Sequence, residues 1–403
     1  MNSGIRVRRV ALAWELGAGL GHIDRLHLVA TALHERGFEP VLLLRDLHNA
    51  HQRLGAAPVS FIQAPLRWPR PAHVPFLGNY SSVLAAAGWL DAGGLAGQVQ
   101  AWQTTLQILD AQLLVADHAP TAQLAASLLG LPVCMVGNSF QVPPPGDPFP
   151  PMRHWVEGES DRCAGFDAVV LPVVNEALGM LGERRLHRLT QVHDGAIRAV
   201  LSLPEFAHYS GYADGAHFVG PSFVSAQGTE PVWPKASGVR VFAYLDARYP
   251  AIDALAIALR RLGCTTLIYA RGMDEARGKA LASVDLSVCY HPIRVAEALA
   301  STDLVITHAS IGTATAAALA GKPQLALPMQ TEQWMVGRRI EDAGVGLCVV
   351  PPAGVAEFML ALSRLIHQPS IRSASAALAR RHTGLAPELT GRRVAALIEQ
   401  ALA

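Results

Sequence analysis

The sequence predicts an α/β protein made of two doubly wound, Rossmann-like parallel-sheet domains. Three observations predict it. The chain has 403 residues, more than the roughly 250 to 300 at which a single hydrophobic core stops growing, so it should divide. Short, wholly apolar runs, the mark of strands buried on both faces, alternate with amphipathic helical stretches. The same strand, small-residue turn, helix and strand plan then recurs in each half.

The first half opens with a strand over 10–14, "VALAW", the turn "ELGAGLGHIDR", a helix over 26–37 and a strand over 40–46. Leu26, Val29, Ala30 and Leu33 share one helix face and Gly37 ends it. Residues 64–94 are rich in proline and aromatic side chains and have no clean period. A helix is expected over 99–112, a strand "AQLLVAD" ending on Asp117, a helix over 121–132 and a strand over 133–139. Residues 142–153, "VPPPGDPFPPMR", must be loop. Helix is expected over 156–165, strand over "AVVLPVVN" (168–175), helix through "RRLHRLT" (184–190), and strands at "AVLSLP" (199–204) and "HFVGPSF" (217–223). The aperiodic stretch 224–238 reads as the linker between domains over 1–223 and 239–385.

The second half begins with the strand "VRVFAYLD", a helix over 249–263 and the strand "TTLIYARG". A helix over 274–282, a strand "LSVCY" and a helix over 294–302 follow. Next comes its most informative stretch, "DLVITHASIGTATAAALAGKPQLALPMQTEQ" (303–333): a buried strand, a turn of small polar residues, a helix from about 313 to 319 and a second buried strand. A helix over 334–346, closed by Gly344, a strand "LCVVP" and two C-terminal helices complete the chain. The last, over 386–403, is expected to pack back on the first domain.

Composition narrows the partners. Lys+Arg 33 against Asp+Glu 32 leaves no basic surplus, which argues against nucleic acid as the principal partner. Cys134, Cys163, Cys264, Cys289 and Cys348 are odd in number, scattered and without metal-ligand spacing, as expected of reduced cytoplasmic thiols. No apolar run approaches the roughly 18 to 20 residues of a membrane span. A cytoplasmic, soluble protein with no bound metal or cofactor is expected, its oligomeric state left open.

In open parallel sheets ligands bind beyond the carboxyl ends of the strands, and two such sheets should meet across a cleft. The turn after the strand at 304–307 leaves helix N–H groups for an anion such as a diphosphate. His308, Ser310 and Thr313 could add donors beside Gly312, although an ordinary helix cap reads the same way. His22, at a glycine turn, is suited to take a proton near neutral pH, and Asp117 to fix its tautomer; a structural histidine is the alternative. Trp68, Phe76, Tyr80 and Trp89 either line a pocket or form satellite core. Gly17, Gly19 and Gly21 with Asp46 keep a weak dinucleotide reading, but the spacing lacks half of that fingerprint.

The stretch from "TDLVITHASIGTATAAALAGKPQLALPMQTEQ" to "AGVG" resembles the donor-site signature of nucleotide-sugar glycosyltransferases of the GT-B fold, in particular the family of plant and bacterial UDP-glycosyltransferases. "GLGHIDRLHLVATALHERGFE" resembles that family's acceptor-side start. The resemblance implies an inverting, metal-independent transfer of sugar from a nucleoside diphosphate donor to a small-molecule acceptor. It implies His22 as base and Asp117 as its partner. Further, it places His308, Ser310, Gly312 and Thr313 at the diphosphate, Glu332 and Gln333 on the donor sugar, and the loop with His291 and Ile293 against the nucleobase. The resemblance does not cover the loops 64–95 and 142–165; there the aromatics Trp68, Phe76, Tyr80 and Trp89 are the residues that could face the acceptor.

Three positions depart from that pattern. Ala316 stands where plant-type members carry a ribose-binding glutamate; bacterial members using deoxythymidine diphosphate sugars also lack it, which leaves the donor base open between UDP and dTDP. Tyr244, Leu245 and Asp246 replace a Gly-Ser phosphate loop, and a carboxylate near a diphosphate is repulsive unless it is otherwise engaged. Ile311 replaces a second histidine. A nucleotide-sugar epimerase and a non-catalytic binding relative are the rival readings. The first has no need of a separate acceptor pocket, and the second no need of His22, Asp117, Glu332 and Gln333 together.

Overall fold

A computed structural model describes residues 8–17, 21–48, 50–55, 59–66, 74, 76–212, 216–221 and 228–402. The chain forms two compact units: Met1–Leu201 with Tyr209–Ser222 and Ala386–Ala403, and Ser202–His208 with Phe223–Leu385. Every strand pairing described within them is parallel.

In the first unit β1 (Arg8–Trp14) leads into α1 (Gly21–His34) and β2 (Phe38–Leu44). The short α2 (Ala50–Leu54) and β3 (Ser60–Gln63) follow. The aperiodic region resolves into α3 (Tyr80–Leu84), a π-helical turn over Ala85–Trp89 and α4 (Ala92–Ile108). Asn79 caps α3, and Gly88, at φ +101°, makes the break before Asp91 caps α4. Then come β4 (Leu113–Asp117), α5 (Pro120–Leu128), β5 (Val133–Gly137), α6 (Glu159–Met180), β6 (Ile197–Val200) and β7 (Ala216–Phe218). The sheet order is β3-β2-β1-β4-β5-β6-β7. The strand order therefore reverses between β1 and β4, which leaves a crevice at their carboxyl ends.

Two expectations fail in this unit. "AVVLPVVN" is not a strand; it is the middle of α6. Its valines suggested a strand, yet the buried set Cys163, Val170, Val174, Ala177 and Leu178 follows a helical period. Asp167 on the same helix accepts from Ser81 Oγ at 2.5 Å and Asn79 Nδ2 at 3.1 Å, which seats it on α3. The 22-residue α6, with an 18-residue window of mean hydropathy 1.3, is among the described residues the one helix long and apolar enough to cross a membrane; 28% of that window is buried in the protein. The residues "RRLHRLT" form no α-helix either. Only a 3-10 turn over Leu189–His193 is present, with residues 183–186 irregular and Asn175 bonded to the Leu186 backbone.

The second unit runs β8 (Arg240–Asp246), α7 (Ile252–Arg261), β9 (Thr265–Arg271), α8 (Glu275–Leu281), β10 (Leu286–Cys289), α9 (Val295–Ala300) and β11 (Leu304–Thr307). It continues with α10 (Ile311–Leu319), β12 (Gln324–Ala326), α11 (Thr331–Asp342), β13 (Gly346–Cys348), α12 (Val355–His367) and α13 (Pro369–Arg381). Its sheet order is β10-β9-β8-β11-β12-β13, reversing between β8 and β11. Leu203 and Phe206, from the segment that precedes the linker in sequence, are buried in this unit's core with Ala309, Ile311 and Val336.

Three helices, not two, follow β13. The last, α14 (Pro387–Ala401), belongs to the first unit. Gly391 makes its approach to α1 possible, because a Cβ there would lie 2.5 Å from the Leu28 carbonyl oxygen. Val394 and Ile398 are fully buried beside Ile23 and Leu26, each contributing about 1.5–3 kcal/mol of apolar burial.

Candidate active site

The first unit places His22 and Asp117 together. Register pairs Trp14, the last residue of β1, with Asp117, the last of β4, and His22 is the second residue of α1. His22 Nδ1 lies 3.1 Å from Asp117 Oδ1. The imidazole stacks on Trp14, centroid to centroid 4.9 Å at 9°. Gly17 has φ +86°, and a Cβ on it would lie 2.8 Å from His22 Nε2. The glycine thus serves twice, allowing the left-handed backbone and leaving room at the ring's outer nitrogen.

Asp117 is completely buried. Burial acts to raise its carboxyl, but the Arg25 guanidinium and His22 beside it outweigh burial and hold it below its usual value. Arg25 Nη1 is 2.6 Å from the same Oδ1 and 2.8 Å from Gln141 Oε1. Sequence reading missed Arg25 and Gln141. The signal for the first was its position one helical turn after His22.

Two further groups around this pair are perturbed. His118 has φ +49°, is buried, and its two ring nitrogens find no hydrogen-bond partner. Burial pushes its imidazole down to about 3. Glu15, the residue after β1, accepts the Thr121 and Ala122 N–H groups at the start of α5; burial nonetheless raises it to about 7.

The aromatics are dispersed. Tyr80 and Trp89 are core side chains, each 1% exposed, so the satellite-core alternative describes them. Phe76 is half-buried, edge-on to Phe166 at 5.2 Å and under the Arg162 guanidinium at 4.2 Å. Trp68 and Gly19 lie outside the described residues. A cavity of about 270 Å³ over Phe149, His193 and Arg198 includes none of the expected site residues.

In the second unit the β11–α10 turn forms as expected, with one difference. His308 has both ring nitrogens engaged: Nδ1 is 2.7 Å from the Leu327 carbonyl, and Nε2 accepts the Asp246 N–H at 2.8 Å. The imidazole is therefore neutral, in keeping with the downward push of burial, and has no donor left for a phosphate. It ties the ends of β8 and β11 to the segment after β12. Ser310 is the exposed N-cap of α10, without a side-chain cap bond, and its Oγ is 2.6 Å from Thr313 Oγ1. Helix geometry leaves the first-turn N–H groups, including those of Gly312 and Thr313, without intrahelical acceptors.

Glu332 is in the first turn of α11, its Oε1 3.3 Å from Nε2 of the fully buried His208. Gln333 Oε1 accepts the Met329 N–H at 2.8 Å. His291 is exposed, whereas Ile293 is 2% exposed and packs with Phe242, Leu267 and Val295; its side chain is core. Asp246 is engaged: its carboxylate accepts from Arg248 Nε at 2.8 Å, Arg248 Nη2 at 2.9 Å and Arg271 Nη2 at 3.0 Å. The Arg248 hydrogen bonds hold it far below the usual carboxylate range. The repulsion expected from this residue is thereby cancelled by two largely exposed arginines. Among the described residues no three His, Cys, Asp or Glu side chains group as metal ligands do.

No protein-family model matches the chain, and no curated protein matches it in sequence. Solved structures do match in three dimensions. The glycotransferase of kitacinnamycin superimposes with a TM-score of 0.74 at 14% identity, over 99% of this chain and 100% of its own. CalG4, the calicheamicin glycosyltransferase, gives 0.69 at 17%, over 99% of both chains. The spinosyn rhamnosyltransferase SpnG, solved with thymidine diphosphate, gives 0.59 at 19%, over 98% of this chain and 100% of its own. The chain thus has the GT-B fold of these glycosyltransferases, one parallel-sheet α/β unit of seven strands and one of six.

Proposed function

We propose that the protein is an inverting, metal-independent glycosyltransferase that moves a sugar from a nucleoside diphosphate donor to a hydroxyl of a small-molecule acceptor. The observation that carries this reading is the His22–Asp117 pair at the point where the first sheet's strand order reverses, with Gly17 leaving room at Nε2. His22 Nε2 takes the acceptor hydroxyl's proton while the oxygen attacks the anomeric carbon from the face opposite the diphosphate. The bond from that carbon to the phosphate oxygen breaks, and its electron pair leaves with the nucleoside diphosphate. Asp117 stabilises the imidazolium so formed. Charge on the leaving group is met by the N–H groups of the α10 first turn, with Ser310 and Thr313 beside them. Glu332 and Gln333 hold the sugar hydroxyls.

For the donor, a deoxythymidine diphosphate sugar is favoured. Ala316 leaves the ribose without a carboxylate partner, and SpnG and SsfS6 were both solved with thymidine diphosphate. The neighbours are named for kitacinnamycin, calicheamicin and spinosyn, which supports a small-molecule acceptor. Five free cysteines, three of them buried, fit work in the reducing cytoplasm.

A mass-spectrometric screen of nucleotide sugars, run beside calorimetry with UDP and dTDP, tests this. Saturable dTDP binding and donor turnover that His22→Ala abolishes, with binding retained, are expected. Absence of binding to either nucleotide would overturn the donor assignment, and unchanged turnover in His22→Ala the base.

A further inference from the structure

Arg25 is nearly as buried as the carboxylate it bonds, 8% exposed against 0% for Asp117. Its Nη1 meets Asp117 Oδ1 at 2.6 Å, and the same oxygen faces His22 Nδ1 at 3.1 Å. On its other side Nη1 meets Gln141 Oε1 at 2.8 Å. That oxygen also accepts the Asn138 N–H at 3.1 Å, and it lies against Gly137, where a Cβ would come within 2.7 Å of it. The guanidinium is therefore held from both sides in the interior.

One carboxylate oxygen thus serves two partners, one permanently cationic and one that titrates. Arginine keeps its proton in proteins. A carboxylate alone favours the imidazolium with its whole charge. With Arg25 on the same oxygen that charge is already compensated, and a proton on His22 brings two cations around one anion.

We propose that Arg25 is a positioning residue of the His22–Asp117 pair: it fixes the Asp117 carboxylate and divides that carboxylate's charge between itself and His22. The catalytic consequence rests on the reading of His22 as the base; the charge coupling does not. The other ionisable group that interacts with His22 is His118 after β4; Tyr80 on α3 packs on His118, and Arg45 after β2 lies by Glu15, which follows β1. Glu15 is bonded to the start of α5, Arg45 donates to the Glu15 carbonyl at 2.6 Å, and burial keeps His118 neutral. Asp24 on α1 pairs with Arg53 of α2. Among the described residues, Arg25 and His22 are the basic side chains in ion-pair distance of Asp117, and of the two only Arg25 carries a permanent charge.

The test is a titration of ¹³C-labelled histidine Cε1 signals by NMR in the full chain, with His22 assigned from its loss in His22→Gln. In Arg25→Met the His22 midpoint should rise by about one pH unit or more, and in Arg25→Lys it should move far less. Equal midpoints in all three proteins would overturn the proposal. Should Arg25→Met not fold, Arg25→Gln, which can still donate to Asp117 Oδ1 but carries no charge, takes its place. Its midpoint should rise likewise, and no rise refutes the coupling. Where the wild type turns over a nucleotide sugar, the acid limb of kcat/KM should move the same way while the donor KM stays constant. A moved midpoint without any turnover would leave the coupling standing and remove the proposed function. Turnover with an unmoved midpoint would do the reverse.

Discussion

Gly17→Ala is a sharp test of the first unit's site, because its two costs can be separated. An alanine at φ +86° costs roughly 1–2 kcal/mol of backbone strain. Its Cβ would also sit 2.8 Å from His22 Nε2, where ordinary contact begins at 3.4 Å, so the ring must retreat by about 0.6 Å. The imidazole is stacked on Trp14 at 4.9 Å and lies 3.1 Å from Asp117, so any retreat disturbs one of these contacts. A displacement of 1 Å costs on the order of 100-fold in rate, which puts the expected loss in kcat/KM at roughly 10- to 100-fold. Gly37→Ala is the control: φ there is +80°, and nothing lies within 4 Å of an added Cβ. It should lose the same stability in urea unfolding and keep its turnover. Donor binding by calorimetry should be unchanged in both variants. If Gly17→Ala turns over within about twofold of Gly37→Ala, the space at Nε2 has no part in the reaction.

Three further outcomes follow from the same geometry. Glu15→Gln should flatten the pH dependence of stability. The folded state raises this carboxyl from 4.5 to about 7, so it binds the proton more tightly than the unfolded chain does, and stability falls as pH rises through that window. The variant should gain up to about 3 kcal/mol over wild type at pH 8 and little below pH 4.5 in urea titrations; an equal gain at both pH values would count against the buried acid. His118→Asn places at φ +49° a residue that enters this region more readily, and should raise stability by about 1 kcal/mol; a loss of that size would mean that ring packing on Tyr80 and Phe140 outweighs the strain. Arg271→Ala removes one of the two cations on Asp246 and should weaken dTDP binding about fivefold, from a screened charge contribution near 1 kcal/mol, with nucleoside binding unaffected; equal dTDP affinity would place the diphosphate elsewhere.

Much of the architecture was legible because the period of burial is a local property. The apolar runs of β1, β4, β8 and β11 fit strands covered on both faces, and the small residues after β1 and β11 mark the turns that ligands approach. Where a valine-rich run lies inside a long helix, as in α6, residue type and period pointed in different directions. There the bonds of Asp167 to α3 and the helical spacing of Val170, Val174 and Ala177 decided the outcome. The aromatics from 76 to 89 were ambiguous for a related reason: no clean period in this stretch separates Trp89, in the core, from the half-buried Phe76.

The sequence by itself determined the two-sheet α/β fold, the glycine turn before α1, the polar turn before α10 and the residue types at each. Only the tertiary structure decided which side chains share a partner. Strand order brings Trp14 level with Asp117, and this pairing carries His22 and Arg25 to one carboxylate oxygen from a helix far away in sequence. The same long-range pairing spends both nitrogens of His308 on Leu327 and Asp246, and turns Asp246 from a repulsive charge into the anchor of Arg248 and Arg271. Hydrogen-bond saturation depends on groups that meet only when the chain is folded, and no local pattern of residues contains it.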